Sequence, residues 1–218
     1  MRITLPSGTE AEIDMSVADA TQGIVIAPDI FGLRPLFDEF VARIAREWQV
    51  KVIAVEPFPG RGLPLEIEPR VQAMPSMDDD LHLRDLEEGA AALGVERVGL
   101  MGFCMGGMYC HKSSRSDRFT KITSFYGMIH VPESWRGPKQ DDPIEILTKS
   151  HADRVLAVVG LKDPYTPNSD IAELKSVGVT VVEYPDAEHG FAHDAARPSH
   201  RPADAADAFA RAKAWLLD

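Results

Sequence analysis

Basic residues are scarce in this sequence: 23 lysines and arginines stand against 34 aspartates and glutamates in 218 residues, for a formal charge of -11. Nucleic acids and anionic membrane surfaces are bound through clustered cations, so the balance argues against both partners. Cysteine is scarcer still, at two residues. Two thiols make no disulfide framework, and Cys104 and Cys110 lack the paired Cys and His spacing of a zinc site, so reduced thiols are expected. Long apolar runs are missing as well. No segment approaches the ~18 continuous apolar residues of a membrane helix. The opening MRITLPSGTE has no signal-type apolar core, so a cytoplasmic protein is expected. Repeats and low-complexity tracts are also lacking.

What is present is the composition of a folding chain, 44% hydrophobic and 26% charged, with length enough for one domain over residues 1–218. Apolar strand-like runs alternate with helical patterns, which predicts a doubly wound α/β sheet, mostly parallel. The start differs: residues 2–5 and 10–14, separated by Ser7-Gly8, predict an antiparallel hairpin at one edge. Strands are expected at 23–27, 51–55, 98–101, 121–125, 155–159 and 180–184. Helices are expected from Pro35, from the acidic run Asp78-Asp79-Asp80 to about Leu93, over 105–116 and near 168–177, and from about Ala203. Residues 57–75, rich in Pro, Gly and Arg, read as a long loop able to border a pocket. Residues 128–153 are broken by three prolines before a short helix at 144–150. A large cap domain has no segment to form it.

Chemistry concentrates at three places. Gly102-Phe103-Cys104-Met105-Gly106 has the form Gly-x-nucleophile-x-Gly between a buried strand and a helix, the setting of a nucleophile elbow. There the glycines permit close backbone approach, and the helix N-terminus favours thiolate. A buried cysteine beside a glycine packing motif would read the same. Asp163 follows the strand VLAVVG and His189 follows TVVEY. The carboxyl ends of parallel strands share one sheet edge, where ligands bind, and the order Cys, Asp, His is the nucleophile, acid, base order of α/β-hydrolases.

With these residues in place the chain resembles the dienelactone hydrolase family, cysteine α/β-hydrolases that open enol lactones. The segments GFCMGG, GLKDPYTP, EHGFAH and Pro28-Asp29-Ile30-Phe31-Gly32 carry the likeness. The resemblance implies Cys104 as nucleophile, His189 as base, Asp163 as its orienting carboxylate and an oxyanion hole from the N–H groups of Ile30 and Met105. It implies a lactone or small activated ester as substrate, a thioester intermediate and no metal or organic cofactor. Two departures stand out. The family usually has Glu where this chain has Asp29, and an arginine shortly after the histidine where it has His193. Arg61 and Arg197 are candidate replacements as anion partners. Phe31, Tyr126, Trp135 and Tyr165 are candidate apolar pocket residues. A carboxylesterase or thioesterase with the same machinery, a non-catalytic relative that binds a small ligand, and a Cys104–Cys110 redox pair are the competing readings. A monomer or small homo-oligomer is expected.

Overall fold

In a computed structural model covering residues 1–218, eight strands form a single sheet. In chain order the elements are β1 (Arg2–Thr4), β2 (Glu10–Asp14), β3 (Gln22–Ala27), α1 (Pro35–Trp48), β4 (Lys51–Val55), α2 (Ile67–Ala73), α3 (Asp79–Ala92) and β5 (Arg97–Phe103). They continue with α4 (Met105–Lys112), β6 (Ile122–Phe125), α5 (Pro143–Thr148), β7 (Val155–Gly160), α6 (Asn168–Ser176), β8 (Thr180–Tyr184) and α7 (Pro202–Leu217). The sheet order is β1-β2-β4-β3-β5-β6-β7-β8. The first two strands pair antiparallel and β2 runs antiparallel to β4, while every later pairing is parallel. This is the fold of the α/β-hydrolases without a large cap.

The central strands are continuous apolar runs because both faces are covered. Alternate side chains divide between two cores: Ile24, Ile26, Met101 and Phe103 join α1 and α7 on one face. Val25, Ala27, Val98 and Leu100 join α3 and α6 on the other. Helix α1 supplies Phe37, Phe40, Val41, Ile44, Ala45 and Trp48 at helical spacing, all buried, beginning at a proline that needs no intrahelical partner for its nitrogen. In α7 Ala205, Ala208, Ala212 and Leu216 are buried, with Phe209 packed against the same core.

Two expectations are corrected. Residues 57–75 are not wholly a loop: α2 and a 3-10 turn over Met74–Ser76 lie at its end. The seven-residue helix was hidden in the sequence because its buried member is Arg70 rather than an apolar stripe. The helix after the elbow stops at Lys112 and continues as a 3-10 turn over Ser113–Arg115. No helix is long and apolar enough to cross a membrane.

Candidate active site

The sharp turn from β5 to α4 places Cys104 at φ 55°, ψ -116°, a backbone state side chains rarely adopt and one that persists only where the surroundings enforce it. The enforcement is visible in the flanking glycines. A Cβ on Gly102 would come within 2.3 Å of the Gly106 carbonyl oxygen, and one on Gly106 within 2.0 Å of the Ala27 carbonyl oxygen. The helix thus seats directly on β3 and β5, with Cys104 partly exposed at its N-terminus.

His189 and Asp163 come from the loops after β8 and β7. Asp163 is fully buried; its Oδ2 lies 2.7 Å from His189 Nδ1 and its Oδ1 accepts the Tyr165 N–H at 2.8 Å. An ionised carboxylate only accepts, so His189 carries a proton on Nδ1 and presents Nε2 outward. Burial alone would lower the His189 pKa. The charge of Cys104 and the hydrogen bond to Asp163 outweigh it, pushing the value up to about 10. The direction favours the imidazolium form of His189.

Cys104 and His189 open into a cavity of about 400 Å³ whose wall includes Ile30, Phe31, Met128, Trp135, Tyr165 and Arg197. A larger groove of about 530 Å³ between α1 and α7 contains none of these groups; chemistry rather than size marks the site. The Ile30 N–H makes no hydrogen bond within the protein, and Met105 opens α4, where the amide has no intrahelical partner. Both amides are free to stabilise an oxyanion.

The accessory candidates are sorted differently from expectation. Phe31, Trp135 and Tyr165 line the cavity, whereas Tyr126, Asp29 and His193 do not. These three are buried, at 0%, 0% and 5% exposure. Arg61 does not reach the cavity and instead donates to Ser76 Oγ at 2.6 Å and to the Ser76 carbonyl at 3.3 Å. Arg197 is the one arginine or lysine on the cavity wall. Its contacts to Asp29 and Asp194 are long, 3.5 and 3.7 Å.

Sequence reasoning missed Arg34 and Arg70. Arg34 grips Asp29 with both terminal nitrogens at 2.7 and 2.9 Å. Burial raises and its partners lower the Asp29 pKa, with His193 and Arg34 prevailing, so the carboxyl stays well below the usual range. Arg70 donates to the Ile30 carbonyl at 2.9 Å and to those of Leu63 and Pro64, fixing the peptide next to the candidate oxyanion amide. Neither arginine stands in a recognisable motif. One other cluster brings potential cation ligands together: His130, Asp170 and Glu173 converge within 4.8 Å, but they do not line the Cys104 cavity.

The model of the dienelactone hydrolase family matches residues 13–218. The chain belongs to the dienelactone hydrolase family. Among curated relatives, a Bradyrhizobium protein named a probable 2-oxo-3-(5-oxofuran-2-ylidene)propanoate lactonase is 26% identical over 201 residues, spanning 85% of this chain and 79% of its own. Carboxymethylenebutenolidase 2 of Cupriavidus pinatubonensis is 23% identical over 133 residues, 59% of this chain and 53% of that protein. Among solved structures, a Klebsiella pneumoniae protein provisionally classed as a dienelactone hydrolase superposes with a TM-score of 0.86 at 21% identity, covering 100% of this chain and 98% of that one. A dienelactone hydrolase-like promiscuous phosphotriesterase from metagenomic libraries superposes at 0.73 and 18% identity, covering 100% and 96%. Family membership makes the chain a hydrolase of the ester and lactone type. Within this family member the two departures noted above are partners: His193 Nε2 lies 2.9 Å from Asp29 Oδ2.

Proposed function

We propose that the protein opens a lactone or small activated ester by nucleophilic catalysis, with Cys104 as nucleophile, His189 as acid and base, and Asp163 orienting the imidazole. The observation that carries this reading is a cysteine in a strained elbow facing the same cavity as a histidine held at 2.7 Å by a buried aspartate. The Cys104 thiolate attacks the carbonyl carbon, and the oxyanion takes hydrogen bonds from the Ile30 and Met105 amides. As the tetrahedral intermediate collapses, the carbon–oxygen bond breaks and the leaving oxygen takes the His189 proton. A thioester remains. His189 then accepts a proton from water, whose oxygen attacks the thioester, and the carbon–sulfur bond breaks to restore thiolate and release the acid. In a lactone the leaving oxygen stays tethered to the acyl chain.

The largely apolar wall favours a small unsaturated ring, and Arg197 suits a carboxylate on it, as in the propanoate of the Bradyrhizobium relative's name. Intact mass spectrometry of wild type and Cys104→Ala, mixed briefly with enol lactones and activated esters and quenched in acid, tests the proposal. An acyl adduct or product only with Cys104 present is expected. A folded wild type that forms neither across the panel refutes it and favours a ligand-binding relative.

A further inference from the structure

Buried outside the cavity lining is a second aspartate–histidine pair, continued by a tyrosine. The Tyr126 hydroxyl is hydrogen bonded to His193 Nδ1, and His193 Nε2 is 2.9 Å from Asp29 Oδ2. The directions follow from the donors available. An ionised carboxylate accepts, so His193 donates from Nε2; a neutral imidazole then accepts at Nδ1, where the phenol donates. Burial of His193 lowers its pKa, which agrees with a neutral ring.

Each member of the chain belongs to a different part of the catalytic apparatus. Asp29 shapes the turn that carries Ile30, accepting the Phe31 N–H at 3.0 Å while its carbonyl accepts the Gly32 N–H at 2.9 Å. His193 lies four residues beyond His189 on the same loop, and the ring of Phe103, which precedes Cys104, stacks on it at 4.8 Å and 19°. Tyr126 follows β6 at φ 40°. Its neighbour Phe125 accepts the Cys104 N–H at 3.0 Å, and its own ring meets His189 edge-on at 5.2 Å.

Asp29 is also saturated. The Phe31 amide, two Arg34 nitrogens and His193 occupy its oxygens, about as many donors as a carboxylate accepts. It has no lone pair to offer the thiol, so in this chain the proton of Cys104 has His189 as its acceptor. Buried charged and polar groups are not the cheapest way to fill a core, but their hydrogen bonds are directional, which apolar packing is not.

Building on the hydrolase reading, we propose that Asp29, His193 and Tyr126 form a positioning array that holds the turn carrying the Ile30 amide in register with the elbow without touching substrate, while His189 keeps its own anchor in Asp163. The array acts on the carbonyl geometry rather than on the thiolate. Two reactions of Cys104 separate these. Alkylation by iodoacetamide needs the thiolate but no oxyanion hole, whereas acylation by 4-nitrophenyl acetate needs both.

Tyr126→Phe removes one oxygen and keeps the ring; His193→Leu removes both hydrogen bonds; His193→Gln keeps a donor for Asp29. Acylation is expected to fall roughly tenfold to a hundredfold in Tyr126→Phe and His193→Leu, the scale of an ångström-level misplacement. KM should change little, His193→Gln should retain more acylation than His193→Leu, and the alkylation rate and its pH profile should stay within about threefold of wild type. Folded variants that acylate like wild type overturn the array, as does an equal loss in both reactions, which would place its action on the thiolate. A wild type that alkylates at Cys104 yet never acylates overturns the hydrolase reading and the array with it, a result distinct from normal wild type with unaffected variants.

Discussion

Replacing Asp163 by asparagine changes one atom in the buried carboxyl, and the structure dictates how the amide settles. The Tyr165 N–H, 2.8 Å from Oδ1, can only donate, so the oxygen of the new amide stays at that position. The NH2 group therefore falls at the site of Oδ2, 2.7 Å from His189 Nδ1. Two donors cannot face each other there, so Nδ1 loses its proton and the imidazole carries hydrogen on Nε2 toward the sulfur. In that tautomer His189 cannot accept the thiol proton. Wrong-tautomer triads lose about 10⁴ in kcat, equivalent to ~5 kcal/mol of transition-state stabilisation. Losing the Asp163 charge also weakens the forces that hold His189 up to about 10, so Cys104 alkylation near neutrality should slow too. The assay is burst-phase release of 4-nitrophenol at pH 7.5, with circular dichroism to establish folding. An Asp163→Asn variant, folded and within tenfold of wild type, would refute the assignment of Asp163 as orienting carboxylate.

Gly106→Ala puts a methyl 2.0 Å from the Ala27 carbonyl oxygen; overpacking of this kind costs about 1–3 kcal/mol, and both the melting temperature and the acylation rate should drop. Arg197→Met should raise KM for carboxylate-bearing esters and leave that for neutral esters of the same size within about twofold; equal changes for both would remove Arg197 from anion recognition. Buried His82 and His111 have pKa values lowered by desolvation to about 3 and about 4. The unfolded chain therefore takes up these protons first, and stability falls with pH below about 6.5 by up to ~1.4 kcal/mol per unit for each group. His82→Leu should flatten that decline in urea titrations between pH 6.5 and 4, since neither His82 nitrogen has a partner to lose. Lys112 and Asp79 form a buried pair at 2.8 Å, so Lys112→Met, which strands the carboxylate, should cost about 3–5 kcal/mol in the same titration.

The order of the strands, of the helices other than α2, and of the three catalytic candidates was legible in the sequence because each rests on local information. Apolar runs between turns specify strands, the glycines around Cys104 specify the elbow, and parallel strands bring their carboxyl ends to one edge whatever the loops contain. The acidic run shows where local information stops. Asp78 caps α3 as its position suggests, accepting from the amides of Asp80 and Leu81, yet Asp79 turns inward to Lys112 and Asp80 pairs with Arg115. Identical side chains in consecutive positions have three fates, because a helix points them in different directions and their partners are far along the chain.

The same limit governs the site. Asp29 and His193 are 164 residues apart, so nothing nearby in sequence announces that the two departures from the family pattern form one hydrogen bond. Tyr126 read as a pocket aromatic because apolar size alone does not say which side of a sheet edge a residue meets. Arg61 and Arg197 read alike as candidate anion partners, and only packing seats one on Ser76 and the other in the cavity wall. The sequence by itself determined the order of the strands and of the helices other than α2, and where an elbow, a candidate acid and a candidate base stand in that order. The tertiary structure decided which charges neutralise one another and which side chain faces the cavity, since Coulombic and hydrogen-bond energies depend on distances that only the folded chain sets.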